Sequence, residues 1–281
     1  MELKDLGTKA VITWCPGCGN FGILQAFKEA LVELGLRREE VVIVSGIGCH
    51  GKIGNYVNVN SFHVIHGRVL PVITGIKLSN PELVVVGFAG DGDAYAIGLG
   101  HLPHAIRRNV DVTYIVHNNM VFGLTTGQVT PTSPLGFKTR STPFGSPEEP
   151  INPITLALSL GATFVARGFP GRLSHLKSLI KQAIEHKGFA FIDVLQPCVA
   201  FNNTWKFYNE RVYELEGEDH DPSDWKAAYE KALEWGNRIP IGLFYKEEKP
   251  TLRERLPQLA GEPLVRRPLE IEIGKFLEEF R

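Results

Sequence analysis

The sequence predicts an α/β protein with a doubly wound parallel sheet, and three observations lead to this fold class. Short apolar runs rich in β-branched residues alternate with stretches of helical periodicity. The apolar runs are continuous, which is typical of strands that helices cover on both faces. With 281 residues, 43% of them hydrophobic, the chain is long enough to bury this core as one large domain, with or without an extension.

The elements follow one another in the order that such a sheet requires. Residues 21–34 carry apolar side chains at helical spacing and end at Gly35, which predicts a helix with a glycine cap. The run VVIVS at 41–45 predicts a buried strand, and the alternation then repeats. The further predicted elements are strands at 83–89, 111–116, 163–167 and 189–195, and helices at 94–108, 152–160 and 172–187.

Two segments break the alternation. Residues 125–153 are too rich in Pro, Gly, Ser and Thr for a regular element, and a loop of this length beside a strand end is typically functional. Beyond residue 200 we predict irregular chain, a helix at 224–236 and a polar, proline-bearing tail over the last 40 residues. We therefore divide the chain into a main domain, 1–200, and a C-terminal extension, 201–281, expected to pack on it.

Charge and hydropathy exclude several classes of protein. Thirty basic residues balance 31 acidic ones without a long run of either sign, so neither nucleic acid nor an anionic membrane is an expected partner. The start MELKDLGTKAVITW lacks the features of a signal peptide, and no stretch has the roughly 18 apolar residues of a membrane span. We expect a cytoplasmic protein, in which four cysteines are more typical of metal ligands or reactive thiols than of disulfides.

A GDG motif follows the strand predicted at 83–89. Gly90, Asp91, Gly92 and Asp93 stand between this strand and a predicted helix. Open α/β sheets bind ligands at this edge, outside the carboxyl ends of their strands. The two glycines allow a diphosphate to approach the backbone, and the positive end of the following helix stabilises it.

The next predicted strand ends at a pair of asparagines, Asn118 and Asn119. The 25 residues between Gly92 and Asn118 suffice for one helix and one parallel strand, which returns the chain to the same edge. A diphosphate needs a cation, and Mg²⁺ prefers a carboxylate, here Asp91, with neutral and phosphate oxygens. GDG alone fits a tight turn equally well, and NN a strand-end turn, but spacing and flanking strands together favour the diphosphate site. No G-x-G-x-x-G opens the first helix, which disfavours a dinucleotide site.

The four cysteines stand at predicted element ends. Cys15 and Cys18 precede the first helix, whereas Cys49 and Cys198 each follow a strand, with gaps of 2, 30 and 148 residues. Four thiolates hold zinc or a 4Fe-4S cluster, and structural zinc more often uses two close pairs. The spacing favours the cluster, while zinc and buried free thiols stay open as alternatives.

Five segments join the GDG…NN motif to the cysteines in order. They are WCPGCGNFGIL, SGIGCHGK, HGRVLPVITGIKLSNPEL, GDGDAYAIGLGHLPHAIRRN and NNMVFGLTTGQVTPTS. Over residues 11–200 the chain resembles the β subunit of 2-oxoacid:ferredoxin oxidoreductases, in the two-subunit form of the 2-oxoglutarate or pyruvate type. The resemblance implies a transketolase-like domain that binds the diphosphate of thiamine diphosphate.

The resemblance also implies roles for individual residues. Asp91, the Asn119 side chain and the Val121 carbonyl would ligate Mg²⁺, and the four cysteines would hold a 4Fe-4S cluster. Two substrate residues are expected: Lys52, a candidate partner of the substrate carboxylate or else a solvated surface charge, and Leu124, lining the pocket. The residues expected at the cofactor are Cys49, His66, Gly90, Asp91, Gly92, Asp93, Asn119, Val121, Gly123, Leu124 and Thr125.

His66 also carries an alternative, and the chain departs from the family at two further positions. His66, in the segment HGR, is expected near the diphosphate, although a hydrogen-bonded structural histidine fits as well. The family often has Tyr in place of Phe122 and Ser in place of His50, so hydrogen bonds at these two positions are in doubt.

The implied reaction is oxidative decarboxylation of a 2-oxo acid to acyl-CoA and CO₂, with the electrons passing to ferredoxin. An α subunit, in a heterodimer or a dimer of heterodimers, would supply the glutamate that activates the cofactor, because no glutamate here has a suitable context. The C-terminal extension is expected to pack on this subunit as well. Two rival functions stay open: a non-redox thiamine diphosphate decarboxylase or synthase, and a non-catalytic zinc-binding interaction module.

Overall fold

The computed structural model describes residues 2–268, 270 and 273–280, and this part of the chain forms an α/β fold around an eight-stranded sheet. The strands are β1 (Val41–Ser45), β2 (Asn60–His63), β3 (Val84–Gly90), β4 (Val112–Asn118), β5 (Val121–Phe122), β6 (Gln128–Val129), β7 (Phe164–Gly168), β8 (Phe189–Leu195), β9 (Val212–Glu214) and β10 (Ile239–Lys246). The α-helices are α1 (Asn20–Glu33), α2 (Val69–Ser79), α3 (Leu102–Arg108), α4 (Pro153–Ser159), α5 (Leu173–Glu185), α6 (Trp205–Asn209), α7 (Trp225–Leu233) and α8 (Ile273–Glu278).

The sheet has the strand order β2-β1-β3-β4-β8-β7-β10-β9. The first six strands in this order run parallel, which confirms the predicted doubly wound sheet. Strand β10 pairs antiparallel with β7 and parallel with β9, so β9 and β10 run opposite to the first six strands. Strands β5 and β6 form a separate two-stranded ribbon, whose second strand lies inside the segment predicted as a loop.

Helices cover both faces of the sheet. Helices α1 and α5 pack on one face, where the rings of Phe27 and Phe88 meet edge to face with centroids 5.0 Å apart. Helices α2, α3, α4 and α7 pack on the other face around Tyr114 and Phe191. Because both faces are covered, every residue of β1, β4, β7 and β8 is buried, as their continuous apolar sequences require.

Of the described strands and α-helices, eight were not predicted: β2, β5, β6, β9, β10, α2, α6 and α8. Strand β2 lies at the sheet edge with all four side chains exposed, so its sequence NSFH contains no apolar run. Helix α2 carries Pro71 and Gly75, both poor helix formers. Strand β10 contains Pro240 and Gly242, which interrupt its apolar pattern, so the prediction of a tail from residue 242 is wrong as far as Lys246.

The helix predicted at 94–108 is interrupted. A π-helical turn spans Asp93–Ile97, a 3₁₀ turn spans Leu99–His101, and only Leu102–Arg108 is α-helical. Within the described residues, no helix is both long and apolar enough to cross a membrane.

Candidate active site

A cavity of about 310 Å³ opens at the carboxyl edge of the sheet, beyond the ends of β1, β3 and β4. Every residue expected at the cofactor lines it. These residues are Cys49, His66, Gly90, Asp91, Gly92, Asp93, Asn119, Val121, Gly123, Leu124 and Thr125. The fold thus brings segments up to 76 positions apart in sequence to one place, as parallel strands that end at one edge require.

Asp91 is buried at the base of this cavity. Its Oδ2 atom accepts hydrogen bonds from the hydroxyls of Thr130, at 2.6 Å, and Thr132, at 2.8 Å. Burial raises the pKa of the carboxyl group, whereas these two bonds lower it. A buried carboxylate with only neutral donors around it favours a cation in the cavity.

Asn119 faces the cavity, and its neighbour Asn118 faces away from it. The side-chain oxygen of Asn119 accepts a hydrogen bond from the Val121 backbone N–H at 3.0 Å. Met120, which stands between Asn119 and Val121, has a φ of 59°, in the left-handed region that residues other than glycine rarely adopt. Since Met120 also packs against Leu195 and Tyr208, the core holds this conformation in place.

Gly90 and Gly92 leave room for two aromatic side chains. A Cβ atom at residue 90 would lie 2.7 Å from Nδ1 of His50, and one at residue 92 would lie 2.1 Å from Cε1 of Phe122. From the sequence, the only reason for these two glycines was the close approach of a diphosphate to the backbone. The structure adds that the packing of the cavity wall itself requires them.

Asp93 contacts two imidazole rings. Its Oδ1 atom lies 2.9 Å from Nδ1 of His66 and also accepts the Gly67 backbone N–H. Its Oδ2 atom lies 3.4 Å from Nε2 of His50, so the residue found in place of the family's Ser contacts this carboxylate. Asp93 therefore contacts two of the three histidines that line the cavity, His50 and His66.

The four cysteines surround a second, smaller cavity of about 50 Å³. None is in a disulfide; Cys15 is exposed, and Cys18 and Cys198 are buried. Burial raises the pKa of Cys18 to about 11, and the other three thiols add to this effect. Burial also raises the pKa of Cys49, and the neighbouring Cys198 thiol raises it further.

The four cysteines are not arranged as the ligands of a single zinc ion would be. Zinc would require sulfur atoms about 3.8 Å apart, as Zn–S bonds of about 2.3 Å imply. Among the described residues, no three or more His, Cys, Asp or Glu are placed to hold a single metal ion. Four thiols around one cavity match the number of ligands of a 4Fe-4S cluster.

The two cavities share a wall. Cys49, Asn119, Gly123 and Gln196 line both of them. A Cβ atom at residue 123 would lie 3.7 Å from the Sγ atoms of both Cys49 and Cys198, and 3.8 Å from Nδ2 of Asn119. A single layer of residues therefore separates the GDG…NN site from the cysteines.

The two expected substrate residues lie in different places. Leu124 lines the larger cavity and is about half exposed. Lys52 does not line the larger cavity. Its Nζ atom donates to the hydroxyl of Thr13 at 2.9 Å, and Thr13 lines the cysteine cavity.

Comparison with known proteins assigns the family. Residues 46–194 match the family described as thiamine pyrophosphate enzyme, C-terminal TPP binding domain, and residues 198–261 match the C-terminal family of the pyruvate ferredoxin oxidoreductase beta subunit. The 2-oxoacid:ferredoxin oxidoreductase subunit beta of a Sulfolobus species is 51% identical over 258 residues, covering 86% of this chain and 85% of the relative. The chain belongs to the 2-oxoacid:ferredoxin oxidoreductase beta subunit family.

Two further relatives agree with this family assignment. The 2-oxoacid:ferredoxin oxidoreductase subunit beta of Saccharolobus solfataricus is 49% identical, covering 92% of this chain and 91% of the relative. A solved 2-oxoglutarate:ferredoxin oxidoreductase from Magnetococcus marinus, with 2-oxoglutarate, coenzyme A and succinyl-CoA bound, is 40% identical with a TM-score of 0.92. The alignment covers 100% of this chain and 96% of that one.

The comparisons confirm the predicted β subunit of a 2-oxoacid:ferredoxin oxidoreductase, with its thiamine diphosphate domain. Membership of an oxidoreductase family argues against both a non-redox synthase and a zinc-binding module. The designation beta implies an alpha partner.

Several residues of this oxidoreductase site were not predicted from the sequence. Thr130 and Thr132 support Asp91, and the only signal for them was the segment GQVTPTS within the resemblance. His117, at the end of β4, lines the cavity with its Nδ1 2.8 Å from Oδ1 of Asn20. Its buried Nε2 has no partner within the described residues, as expected for an atom that faces a bound polar molecule. Burial holds the pKa of His117 well below its usual value, so the ring is neutral.

Proposed function

We propose that this chain carries thiamine diphosphate, Mg²⁺ and a 4Fe-4S cluster in an enzyme that oxidatively decarboxylates a 2-oxo acid to acyl-CoA and CO₂, with ferredoxin as electron acceptor. The observation that carries the proposal is the wall shared by the two cavities. An enzyme that only decarboxylates has no need for four cysteines beside its cofactor site. An oxidative one needs an electron acceptor within reach of it.

The larger cavity has the donor set for the cofactor and its metal. Asp91, the side-chain oxygen of Asn119 and the Val121 carbonyl would hold Mg²⁺, because they supply the carboxylate and neutral oxygens that it prefers. Thiamine diphosphate, when bound, supplies the nucleophilic carbon and the electron sink for decarboxylation. Gly90 and Gly92 would admit its diphosphate, with Gly123 and Thr125 beside it.

The histidine side of the cavity would orient the bound molecule. Asp93 holds the rings of His50 and His66 from one side. His117 presents a neutral nitrogen, without a partner among the described residues, that can accept a hydrogen bond. The chain's own part in the reaction is therefore to bind and orient the reactants and to exclude water.

The smaller cavity would hold the cluster through Cys15, Cys18, Cys49 and Cys198. Such a cluster supplies a one-electron acceptor. Cys49 would be the ligand nearest the thiamine, because it alone of the four lines both cavities.

The substrate belongs to the 2-oxo acids. The relative from Magnetococcus marinus binds 2-oxoglutarate and coenzyme A, which supports a carboxylate-bearing substrate and acyl transfer to coenzyme A. Leu124 would line the substrate pocket. Lys52 would have to leave Thr13 to reach the substrate carboxylate, because its present hydrogen bond lies outside the larger cavity. The flexible four-carbon stem of lysine allows this movement.

The active unit would be a heterodimer or a dimer of heterodimers in the cytoplasm. The α subunit would supply the activating glutamate, because no glutamate among the described residues lines the larger cavity. Residues 201–281, which contribute β9 and β10 to the sheet, would also contact this partner.

The test is purification with the native partner under anaerobic conditions, followed by an assay for viologen reduction. We expect reduction that depends on both a 2-oxo acid and coenzyme A. Decarboxylation without dye reduction would select a non-redox enzyme, and one zinc with neither iron nor thiamine diphosphate would select an interaction module. No activity with any 2-oxo acid would contradict the proposal.

A further inference from the structure

Gln196 connects the two cavities through its side chain. It directly follows β8, is 1% exposed and belongs to the shared wall. We infer that Gln196 is a positioning residue that fixes the amide of Asn119 toward the metal and raises the reduction potential of the cluster through an N–H···S bond to Cys18. This inference rests on the proposed function, since it assigns a residue to cofactors proposed above.

The first contact of Gln196 fixes the orientation of Asn119. Oε1 of Gln196 accepts a hydrogen bond from Nδ2 of Asn119 at 2.9 Å. The other end of the Asn119 amide accepts the Val121 N–H. A carboxamide can take two orientations, and only the observed one gives each of these neighbours a partner. Gln196 therefore keeps the oxygen of Asn119, rather than its NH₂ group, available to a cation.

The second contact reaches a cysteine. Nε2 of Gln196 lies 3.4 Å from Sγ of Cys18 and 2.6 Å from the Pro197 carbonyl oxygen. The NH₂ group has two hydrogens, so it can donate to both acceptors at once. Hydrogen bonds to cluster sulfurs are one of the factors that set the reduction potential. An N–H donor stabilises the reduced, more negative cluster most, so it raises the potential.

The backbone of residue 196 does not depend on this side chain. Its N–H donates to the Asn118 carbonyl at 2.8 Å, which fixes the junction between β8 and the cysteine loop. A side chain of similar volume can thus replace Gln196 without moving Cys198.

Two variants separate the two contacts. Gln196→Met keeps the volume and removes both bonds. Gln196→Glu keeps an oxygen that accepts from Asn119, but it has no N–H for Cys18; if the acid is protonated, its one O–H serves the nearer Pro197 carbonyl. The matched control is Gln182→Met on α5, where the side-chain amide donates to Ser178 at the surface.

The experiment uses the anaerobically purified complex with its partner. The potential of the cluster is measured by redox titration followed by electron paramagnetic resonance, and thiamine diphosphate affinity is measured in the presence of Mg²⁺. We expect both Gln196 variants to shift the potential to more negative values. Only Gln196→Met should also weaken the cofactor, by about tenfold, as outer contacts of metal ligands commonly do. Gln182→Met should change neither quantity.

The outcomes distinguish this inference from the proposed function. A wild-type complex without iron or without bound thiamine diphosphate would contradict the proposed function before any variant is tested. A loaded wild type with unchanged potential in both Gln196 variants would overturn only the inference. Loss of iron from both variants would overturn it as well, since Gln196 would then be needed for the structure of the cluster site rather than for its potential.

Discussion

The ring of Phe122 occupies the space beside Gly92 that a side chain at residue 92 would need. A Cβ atom there would lie 2.1 Å from Cε1 of Phe122, far inside contact distance. Because Gly92 has an ordinary helical backbone conformation, alanine would meet no backbone strain at this position, and the conflict is with Phe122 alone.

Gly92→Ala should therefore destabilise the protein by about 1–3 kcal/mol, the usual cost of overpacking. Adding Phe122→Leu should restore part of this loss, because the smaller side chain frees the space. Chemical denaturation of the two variants measures both effects. Gly100→Ala is the control, since a Cβ there would meet no atom within 4 Å. Equal stability of Gly92→Ala and wild type would contradict the assigned packing.

Asp91→Asn should lower the Mg²⁺-dependent affinity for thiamine diphosphate at least about tenfold, because the metal would lose the carboxylate ligand proposed for it. The cofactor-free variant should be no less stable than wild type, since a buried charge without a charged partner is removed. Isothermal titration calorimetry and denaturation check the two effects.

Asp111→Asn is the matched control for Asp91→Asn, because Asp111 precedes β4 at the opposite edge of the sheet and pairs with Lys77 at 2.9 Å. Unchanged cofactor affinity in Asp91→Asn, or an equal loss in Asp111→Asn, would contradict the role of Asp91.

Cys15→Ser should remove the cluster and leave the thiamine site intact. Cys15 is exposed, so the fold does not depend on its packing, and it does not line the larger cavity. We expect anaerobically purified protein to lose its iron and its absorbance in the visible range. Thiamine diphosphate affinity should stay at the wild-type value. Full iron content in this variant would rule out Cys15 as a ligand.

Acidification should destabilise the protein through His186. Burial lowers its pKa to about 4 in the folded protein, and its Nε2 lies 2.8 Å from the Thr163 hydroxyl. Since the folded pKa lies below the ordinary value of 6.5, the neutral ring adds stability above pH 6.5. This contribution is lost as the pH falls toward 4, and it amounts to about 2 kcal/mol once partial solvent contact is allowed for.

The free energy of unfolding should therefore fall less between pH 6.5 and pH 4 in His186→Gln than in wild type. The comparison variant is His104→Gln, which changes an exposed histidine on α3. The same pH dependence in His186→Gln and wild type would show that His186 does not contribute.

The sequence predicted those parts of the fold and site that depend on local pattern. The buried strands β1, β3, β4, β7 and β8 are continuous apolar runs, and residues that follow their ends meet because parallel strands share an edge. Strand β2 could not be predicted because an exposed edge strand needs no apolar residues. Strand β10 was hidden because Pro240 and Gly242 are tolerated there only through its pairing with distant strands.

The contacts that support the site are long-range. Thr130 meets Asp91 across 39 positions, and Gln196 meets Cys18 across 178. No spacing rule connects residues so far apart, so the resemblance predicted candidate ligands but not the side chains that contact them. The structure also showed that Lys52 donates to Thr13, which lines the cysteine cavity, and the position of Lys52 after Cys49 did not reveal this contact.

The most direct test follows the cluster during the reaction. The anaerobic complex, loaded with thiamine diphosphate and Mg²⁺ and free of any external acceptor, is mixed with a 2-oxo acid and coenzyme A and frozen at intervals. We expect the electron paramagnetic resonance signal of a reduced 4Fe-4S cluster to appear with the release of CO₂, and to be absent from the Cys15→Ser complex. Release of CO₂ while the wild-type cluster stays oxidised would contradict the claim that the two cavities form one oxidative site.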